Sequence, residues 1–504
     1  MSDAPAVGRP VLKSHKGAQG VPVRRLPVYL YGDEGHVVHL PLIPAGTRVR
    51  SLLDRVGALS DEQVDEAMDE TLASYGGRHN DLPSAFEARY REAAAMIGWQ
   101  ADWAHPRRRL AGAYLTMEYA VEGAALFNPS IVPHPDQSAL PPGAVRFLMS
   151  LRAMGEGHVS SIVFRTGVIG ADGAVSLDAP AKQVARARVS PDSRYLKPLL
   201  RQKLLEMGVN GMKWVDRVLS GLGETFILPE LNHAVQAMPP AELAAPGAQQ
   251  ALRTLMWVAR SNYRIRLAAA ADLAQLVIYP VMQEEIHGIE DLRLTRFTET
   301  DGSVEYFGTY VAYDGQRTLP MLIRTRDFHE IEVHSINGAA ALDKGMALFP
   351  RRIGGHYVMC SRIDGENLYI MVSDFVHFWE TARMFAGPDK VWNLYQVGNC
   401  GPPVETPEGW ILLTHGVGPM RTYSIGAMLL DLEDPTRILG RLRYPLLRAD
   451  PSEREGYVPN VVYTCGSMIH GRTLYIPFAL ADRSTTMCAV EVEDLLARLM
   501  ESPP

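Results

Sequence analysis

Residues Leu292–Phe328 read "LRLTRFTETDGSVEYFGTYVAYDGQRTLPMLIRTRDF". Three runs rich in aromatic and β-branched residues are separated by two Asp-Gly pairs, Asp301-Gly302 and Asp314-Gly315. Asp-Gly pairs favour the left-handed backbone of tight hairpin turns. The stretch therefore predicts three antiparallel strands joined by short turns.

The same plan of strands and turns recurs along the chain. Four further stretches repeat it, beginning at Val145, Ala347, Pro403 and Val461. Equivalent strands in four of the units lie 51, 53 and 64 residues apart, counted from Tyr306, Tyr357, Trp410 and Leu474. Periods of this size lie in or just above the range of four-stranded propeller blades. Five units predict an all-β core folded as a five-bladed β-propeller.

Polar and helical segments flank and interrupt the β units. Ser60 and Gln63 form a capping-box pattern ahead of an apolar helical stripe that ends at Gly76, which predicts an N-terminal helix. The pattern divides the chain into a disordered arm (1–20), a largely helical N-terminal extension (21–125), a first blade region (126–190), a helical insert (191–263) and the remaining blades (264–504).

Composition narrows the class of protein. With 504 residues, 47% hydrophobic residues and a net charge of −7, the chain predicts a globular, soluble protein. No lysine- and arginine-rich block is present, which argues against nucleic acid as a partner. The first twenty residues lack the apolar run of a signal peptide, and no stretch is apolar enough for a membrane span, so we expect a cytoplasmic location and no membrane partner.

Familiar catalytic motifs are missing from the sequence. It has no GxSxG, Walker A, GxGxxG or HExxH motif, and its histidines show no metal-ligand spacing. Polar residues instead stand at the turns of the repeated units, and blade loops converge at one end of a propeller. We expect these side chains to meet there: Asn128, Arg152, Glu156, Glu290, Asp291, Arg293, Lys344, His415, Arg421 and Asp482.

Six stretches carry a resemblance to a known family. They are, in order, "FNPS", "GIEDLR", "DKGMALFPRRIGGHYVMCSR", "PPVETPEGWILLTHGV", "YSIGAMLLDLEDPTRILGRLRYPLL" and "GYVPNVVYTCGSMIHGRTLYIPFALAD". Together they resemble glycoside hydrolase family 130, the β-mannoside phosphorylases and related β-mannosidases, from about residue 126 to the end apart from the insert. That family has a five-bladed propeller fold. The N-terminal helices and the insert resemble a longer, glycosidase-like branch of it.

The resemblance implies a role for each candidate. Asp291 matches the general acid of the family's Glu-Asp-Pro-Arg motif, with Leu292 in place of the proline. The resemblance implies that its proton is relayed through a mannosyl hydroxyl. Phosphate-binding positions are implied at Lys344, His415, Arg152 and Arg421. Substrate-binding positions are implied at Asn128, Glu290, Arg293 and Asp482. Inorganic phosphate is then a co-substrate, and we expect neither cofactor nor metal.

The proton donor places a demand on its surroundings. A carboxyl group that still holds a proton near neutral pH needs a raised pKa. Glu290, next to Asp291, could raise it if the two side chains converge. In a regular strand, however, neighbours point to opposite faces, so Glu290 has an alternative role in anchoring the loop.

Three functions stay open at this point. An inverting phosphorylase needs cations to hold phosphate, whereas an inverting β-mannosidase needs a second carboxylate as base, with Glu156, Glu290 or Glu405 as candidates. A non-catalytic sugar-binding propeller needs neither. Because the chain keeps the basic residues of the anion site, the sequence favours a glycosyltransferase-type phosphorylase that acts on a β-mannoside and yields mannose 1-phosphate.

Simpler structural roles compete with these assignments. Asp291 and Arg293 could form an ion pair at a strand end, Lys344 could be a surface lysine, and His415 a hydrogen-bonded core residue. The helical additions also have apolar faces, which either the propeller flank or a second subunit must cover. A homo-oligomer formed through these helices is therefore an expected partner state, beside an oligosaccharide substrate.

Overall fold

Sheets built almost wholly of antiparallel strand pairs make up most of the chain from residue 125 onward, apart from a helical insert. The computed structural model describes residues 15–16, 20–181, 183–186, 188–190, 194–206, 208–267, 272–280, 282, 285–313, 315 and 318–501. Within these residues there are five sheets of four to six strands. The main strands of the sheets follow one another in chain order, and strands from 185–190, 263–278 and 15–30 add to the first, second and fifth sheets. The predicted all-β core is confirmed. Of the two Asp-Gly turns that led to it, Asp301-Gly302 joins two paired strands, whereas Asp314 lies outside the described residues.

The strands of each sheet are given in spatial order. The first sheet contains Ala125–Pro133, Val145–Met154, Ser160–Ile169, Leu276–Ile278 and Ala185–Arg186, with Val175–Leu177 also paired to its third strand. The second contains Ile289–Thr298, Val304–Tyr313, Thr318–Thr325, Glu330–Ser335, Tyr263–Arg266 and Arg188–Ser190. The third contains Lys344–Leu348, Tyr357–Arg362, Leu368–Ser373 and Ala382–Ala386.

The last two sheets follow the same plan. The fourth contains Gln396–Asn399, Gly409–Gly418, Thr422–Leu430 and Ile438–Arg441, with Val404–Thr406 also paired to its second strand. The fifth contains Val462–Tyr463, Thr473–Leu480, Ser484–Glu491, Pro22–Leu30 and His15–Lys16, with Met468–His470 also paired to its second strand. Two small sheets pair Val37–Pro41 with Thr116–Ala120 and Arg194–Leu196 with Thr225–Ile227.

Helices lie in three parts of the described chain. The N-terminal part contains Gly46–Gly57, Asp61–Tyr75, Leu82–Ile97 and His105–Tyr114. The insert contains Lys197–Glu206, Met212–Ser220, Leu228–Gln236, Pro240–Leu243 and Ala248–Arg260, and Val492–Met500 follows the last strand. Short 3-10 turns occupy Glu156–His158, Leu273–Gln275, Pro419–Arg421 and Pro451–Glu453. No helix among the described residues is long and apolar enough to cross a membrane.

Neighbouring sheets share one hydrophobic cluster each. Each cluster contains buried residues from both sheets. In the order of the sheets, starting with the first and second and ending with the fifth and first, examples are Leu148 and Leu294, Phe307 and Met359, Cys360 and Trp410, Ile411 and Ile476, and Met487 and Phe147. Burial of these apolar faces is the main force that holds sheet to sheet. The fifth interface brings the end of the chain back to the first sheet.

Hydrogen bonds follow the same cyclic order. From the first sheet onward they join Leu294 N to Ser130 Oγ (3.0 Å), Thr298 N to Pro350 O (2.9 Å), Val397 N to Glu366 O (3.0 Å), Tyr423 N to Asn460 O (3.1 Å) and Cys465 N to Pro129 O (2.8 Å). Packing and hydrogen bonding therefore agree that the five sheets contact one another in a closed cycle.

The helical additions bury their apolar faces within their own neighbourhoods. Val64 and Met68 pack with Phe86 and Leu110 from the adjacent helices, and Leu252 lies in a separate core of the insert. These faces are covered without a second subunit, so the homo-oligomer stays a prediction. The domain boundaries drawn from the sequence also stay predictions.

The N-terminal strand was not foreseen in an extension predicted to be largely helical. Pro22–Leu30 pairs antiparallel with Ser484–Glu491 of the fifth sheet. Most of the predicted arm, residues 1–14 and 17–19, lies outside the described residues, while His15–Lys16 pair with the start of this strand. The beginning of the chain thus extends the sheet formed by its end.

Candidate active site

Three first strands break their register at the same point. In the first sheet, Phe127 faces Arg152 and Ser130 faces Ser150, so the first strand has one residue more than its partner between these two pairs. The second and third sheets repeat this bulge between Glu290 and Arg293 and between Lys344 and Ala347. Inside the bulges, φ is positive at Asn128 (50°), Asp291 (58°) and Gly345 (90°). A bulge redirects side chains, and here it turns residues of three sheets toward one another.

The bulge resolves how two adjacent acids share one site. Arg152 Nη2 donates to Glu290 Oε1 at 2.9 Å, while its Nη1 lies 3.5 Å from Asp291 Oδ1. Lys344 Nζ donates to the other Glu290 oxygen at 2.6 Å. Glu290 and Asp291 therefore converge on the same cations, although they are neighbours in a strand.

Asp291 is the centre of this cluster. Asn128 Nδ2 donates to Asp291 Oδ1 at 2.6 Å, and Arg293 Nη2 lies 3.8 Å from Oδ2. Burial favours the neutral acid, but the positive charges of Arg152, Arg293 and Lys344, with the Asn128 hydrogen bond, outweigh it and hold the pKa of Asp291 below its ordinary value. The expectation of a raised pKa at Asp291 is wrong for this arrangement, because the surrounding cations outweigh burial.

Arg293, which is paired with Asp291, is buried, with only 2% of the residue exposed. Its Nη1 donates to the Asp291 backbone carbonyl at 3.2 Å and its Nη2 to the Tyr463 hydroxyl at 2.9 Å. Predicted as a substrate-binding residue, Arg293 has contacts suited to fixing the bulge and the Asp291 carboxylate.

His415 is also buried, at 2% exposure. Burial and the charges of Arg362 and Arg293 hold its pKa well below the ordinary value, so the ring is neutral. Arg362 Nη1 donates to His415 Nε2 at 3.0 Å, and the ring meets Tyr463 edge to face with centroids 5.0 Å apart. Through Tyr463 and Arg293, His415 is connected to Asp291.

Arg362 is a functional candidate that the sequence reasoning missed. It stands directly across the strand pair from Lys344 and belongs to the third sheet. Among the described residues its guanidinium donates to His415 and forms no ion pair with a carboxylate. The signal was available: "SR" closes one of the quoted stretches, at the end of a strand that faces Lys344.

Arg421 and Asp482 occupy hairpin turns of the fourth and fifth sheets. Both have positive φ, 53° and 49°. Burial and the negative charge of Asp291 raise the pKa of Asp482 to about 7, against the positive charges of Arg152 and Arg421, with Glu290 raising it further. The two residues join the cluster by electrostatic interaction. Asn128, Arg152, Glu290, Arg293 and Lys344 join it through direct contacts, His415 joins it through Tyr463, and Glu156 stays outside it.

The three glutamates considered as the base of a hydrolase are poorly placed for that role. Glu405 accepts a hydrogen bond from Arg351 Nε at 2.8 Å at the side of the fourth sheet, Glu156 is exposed in a turn, and Glu290 is held by two cations. In the part of the chain that the structure describes, no three His, Cys, Asp or Glu side chains form a group suited to a metal. The expectation of no metal and no cofactor stays a prediction.

Paired carboxylates with different protonation are the groups that glycoside-cleaving enzymes use. Comparison with known proteins gives the family. The family model of glycoside hydrolase family 130, described as beta-1,4-mannooligosaccharide phosphorylase, matches residues 269–501. A 1,2-beta-oligomannan phosphorylase from Thermoanaerobacter sp. is 32% identical over 230 residues, which are 43% of this chain and 74% of the relative. The chain belongs to glycoside hydrolase family 130, as the sequence predicted.

Two further proteins are similar to the chain. A beta-1,2-mannobiose phosphorylase from Listeria innocua is 30% identical over 229 residues, 44% of this chain and 63% of the relative. The solved structure of a Listeria innocua beta-1,2-mannobiose phosphorylase bound to beta-1,2-mannobiose covers 76% of this chain and 94% of its own, at 21% identity and a TM-score of 0.45.

Proposed function

We propose that this protein is an inverting phosphorylase that cleaves a β-mannoside with inorganic phosphate and releases mannose 1-phosphate. The relatives named as mannoside phosphorylases support the reaction class. The observation that carries the proposal is the set of cations beside the two acids: Arg152 pairs with Asp291 and Glu290, Lys344 pairs with Glu290, and Arg362 faces Lys344 across the strand pair. Such a set suits a phosphate dianion better than a water molecule, since water needs a base.

Each group then has a task. A phosphate oxygen forms a bond to the anomeric carbon while the bond to the glycosidic oxygen breaks, and the proton of Asp291 goes to the leaving oxygen. Lys344, Arg152 and Arg362 hold the phosphate, and neutral His415 positions Arg362 by accepting its hydrogen bond. Arg293 fixes Asp291, and Asn128 donates to it.

Phosphate binding and protonation of Asp291 are coupled in this scheme. The cations that lower the pKa of Asp291 are the same cations that attract phosphate. A bound dianion offsets their charge, so we expect the pKa of Asp291 to rise when phosphate binds. The acid then carries its proton when both substrates are in place.

We propose further that the five sheets are the blades of a five-bladed β-propeller with the site at one end of its central channel. The closed cycle of sheet contacts and the shared bulge in three first strands support this arrangement. The helical insert and the N-terminal extension are additions to its outside.

A cytoplasmic location and a homo-oligomer belong to the same proposal. A sugar phosphate made inside the cell is retained there, which suits the product. Light scattering over micromolar concentrations tests the oligomer, and a monomer throughout that range would contradict it.

The experiment is an incubation of the protein with β-1,2- and β-1,4-mannobiose, with and without inorganic phosphate. We expect mannose 1-phosphate only when phosphate is present. Asp291→Asn should lower the rate at least about a hundredfold, because it removes the proton donor. Asp65→Asn, on an exposed helix face, is the control. Free mannose formed without phosphate would identify a hydrolase instead.

A further inference from the structure

A pair of rings beside the site has no task in the reaction above. His158 and Tyr457 stack with centroids 5.5 Å apart and planes inclined by 29°. Tyr457 is 55% exposed, and His158 is exposed as well. The two residues come from different sheets, since His158 follows the second strand of the first sheet and Tyr457 precedes the fifth sheet. Together they are called the aromatic platform.

Both members lie next to residues of the candidate site. His158 stands in the hairpin turn that follows Arg152. Tyr457 is held beside Asp482, because Val458 N donates to the carbonyl of Ala481 at 3.0 Å. The aromatic platform therefore lies outward of Arg152 and Asp482, at the solvent side of the cluster.

The backbone holds His158 in a costly conformation. Its φ is 60°, in the left-handed region that non-glycine residues seldom adopt. The Tyr119 hydroxyl fixes the turn by donating toward the carbonyls of Glu156 (2.9 Å) and Val159 (3.2 Å). A strained residue that holds an exposed ring against another exposed ring indicates a binding surface.

A sugar ring is the ligand that suits this surface. Pyranosides present an apolar C–H face to aromatic rings and hydroxyl groups to charged neighbours, and Asp482 and Arg421 supply such neighbours. Two of the cations proposed to hold phosphate, Lys344 and Arg362, stand on the third sheet, whereas the aromatic platform joins the first and fifth sheets. We therefore place the transferred mannosyl unit between these cations and the platform. The sugar on the other side of the scissile bond then extends toward solvent.

We propose that His158 and Tyr457 stack on the leaving sugar of the substrate, which is the acceptor sugar in the reverse reaction, and so select acceptors with an exposed pyranose face. This inference rests on the proposed function. It assigns the platform to acceptor specificity and gives it no part in phosphate binding or proton transfer.

The test uses synthesis from mannose 1-phosphate and mannose. Tyr457→Ala should raise the KM for mannose about threefold to tenfold, while the KM for mannose 1-phosphate and kcat change less than about twofold. His158→Asn should act in the same direction, since asparagine tolerates the left-handed backbone but lacks the ring. Tyr457→Phe should retain the wild-type KM. Tyr31→Ala is the control, because Tyr31 is 61% exposed and lies more than a hundred residues from His158 and Tyr457 in the sequence.

Different failures have different meanings. An unchanged KM for mannose in both Tyr457→Ala and His158→Asn would overturn the aromatic platform. A wild-type protein that makes no disaccharide would contradict the proposed function, and calorimetric titration with β-1,2-mannobiose then decides the platform by itself. Weaker binding by Tyr457→Ala would support it, and equal affinity, or no binding by the wild type, would overturn it.

Discussion

At the level of single residues, the site contains two aspartates whose surroundings act in opposite directions. Asp291 is surrounded by cations and has a lowered pKa, whereas burial raises the pKa of Asp482 to about 7. Oppositely shifted carboxyl groups are a common arrangement in sites that both donate protons and stabilise charge. Asp482 is thus the acid of this site that keeps its proton up to neutral pH.

The raised pKa of Asp482 makes stability depend on pH. From its ordinary value of 3.8 up to about 7, the unfolded chain has lost this proton while the folded chain retains it. The contribution to stability therefore falls as pH rises across that window, by at most about 1.4 kcal/mol per pH unit. Asp482→Asn removes this effect, so its Tm minus the wild-type Tm should increase between pH 4 and pH 8 in thermal melts. Asp65→Asn should give a flat difference, and a flat difference for Asp482→Asn would refute the shift.

Arg362 gives a second test at this scale. Loss of a charge-assisted hydrogen bond costs about 1.5–3 kcal/mol, so Arg362→Gln should raise the KM for phosphate about tenfold to a hundredfold, with a smaller change in the KM for mannobiose. Initial rates at varied phosphate measure it. Arg437→Gln, at a 66% exposed side chain paired with Asp431, is the matched control. Equal effects on both KM values would show that Arg362 supports the fold rather than the anion.

The sequence predicted which residues lie together better than it predicted their charge states. Asp291, Lys344 and Arg152 were predicted to share one site because resemblance and position in the repeat both marked them, and Arg152 and Lys344 do lie beside the pair Glu290 and Asp291. The protonation of Asp291 was not predictable, since it depends on which cation reaches which oxygen after two sheets pack together. Arg362 was overlooked because the quoted stretch that ends with it was used for the resemblance alone, and its place opposite Lys344 depends on a strand register that the sequence does not state.

At the level of elements, the bulges in the first strands matter most. Gly345 has φ of 90°, and a Cβ there would meet its nearest neighbours no closer than 3.4 Å, so a substitution would strain the backbone more than the packing. Gly302, in a hairpin turn of the second sheet, has φ of 83° and open space around it. The two glycines therefore have similar backbone demands, but only Gly345 adjoins Lys344.

This difference predicts a separation of stability from function. Gly345→Ala and Gly302→Ala should each cost about 1 kcal/mol and lower Tm by a few degrees. Only Gly345→Ala should raise the KM for phosphate severalfold, because the bulge orients Lys344. Thermal melts and initial rates on the same preparations measure both effects. The prediction would be wrong if the two variants had the same KM for phosphate.

The strands themselves were predictable, and their irregularities were not. Alternating residues and the Asp301-Gly302 turn marked the second sheet directly. The bulges contain Asn128, Asp291 and Gly345, which share no residue type, so only their register relates them. The strand Pro22–Leu30 was missed because its partner lies more than four hundred residues away, and strand pairing at that distance leaves no local pattern.

At the level of the whole molecule, closure of the cycle depends on both ends of the chain. Cys465 N bonds Pro129 O, and Leu126 N bonds Arg483 O, so the fifth sheet is fastened to the first. The strand Pro22–Leu30 then covers the edge of the fifth sheet. Because the candidate active-site residues come from all five sheets, loosening this closure should loosen the candidate site.

Deletion of residues 1–31 tests the closure. It removes Val23, Leu26 and Val28, which are 3–5% exposed and belong to the clusters on the two sides of the fifth sheet. Burial of three such side chains contributes roughly 5–9 kcal/mol, which is comparable with the whole stability of many proteins. The deletion should also expose the edge of Ser484–Glu491, and unpaired edges promote aggregation.

We therefore expect the shortened chain to be largely insoluble or to melt at least about 10 °C below the full chain, as measured by soluble fraction and thermal melts. Deletion of residues 1–14 is the control, because the sequence predicts a disordered arm there, and it should leave Tm unchanged. If the 1–31 deletion melted with the full chain, the N-terminal strand would be dispensable and closure would reside in the Cys465–Pro129 contact. If instead the 1–14 deletion lowered Tm as much, the prediction of a disordered arm would fail, and the start of the chain would itself belong to the closure.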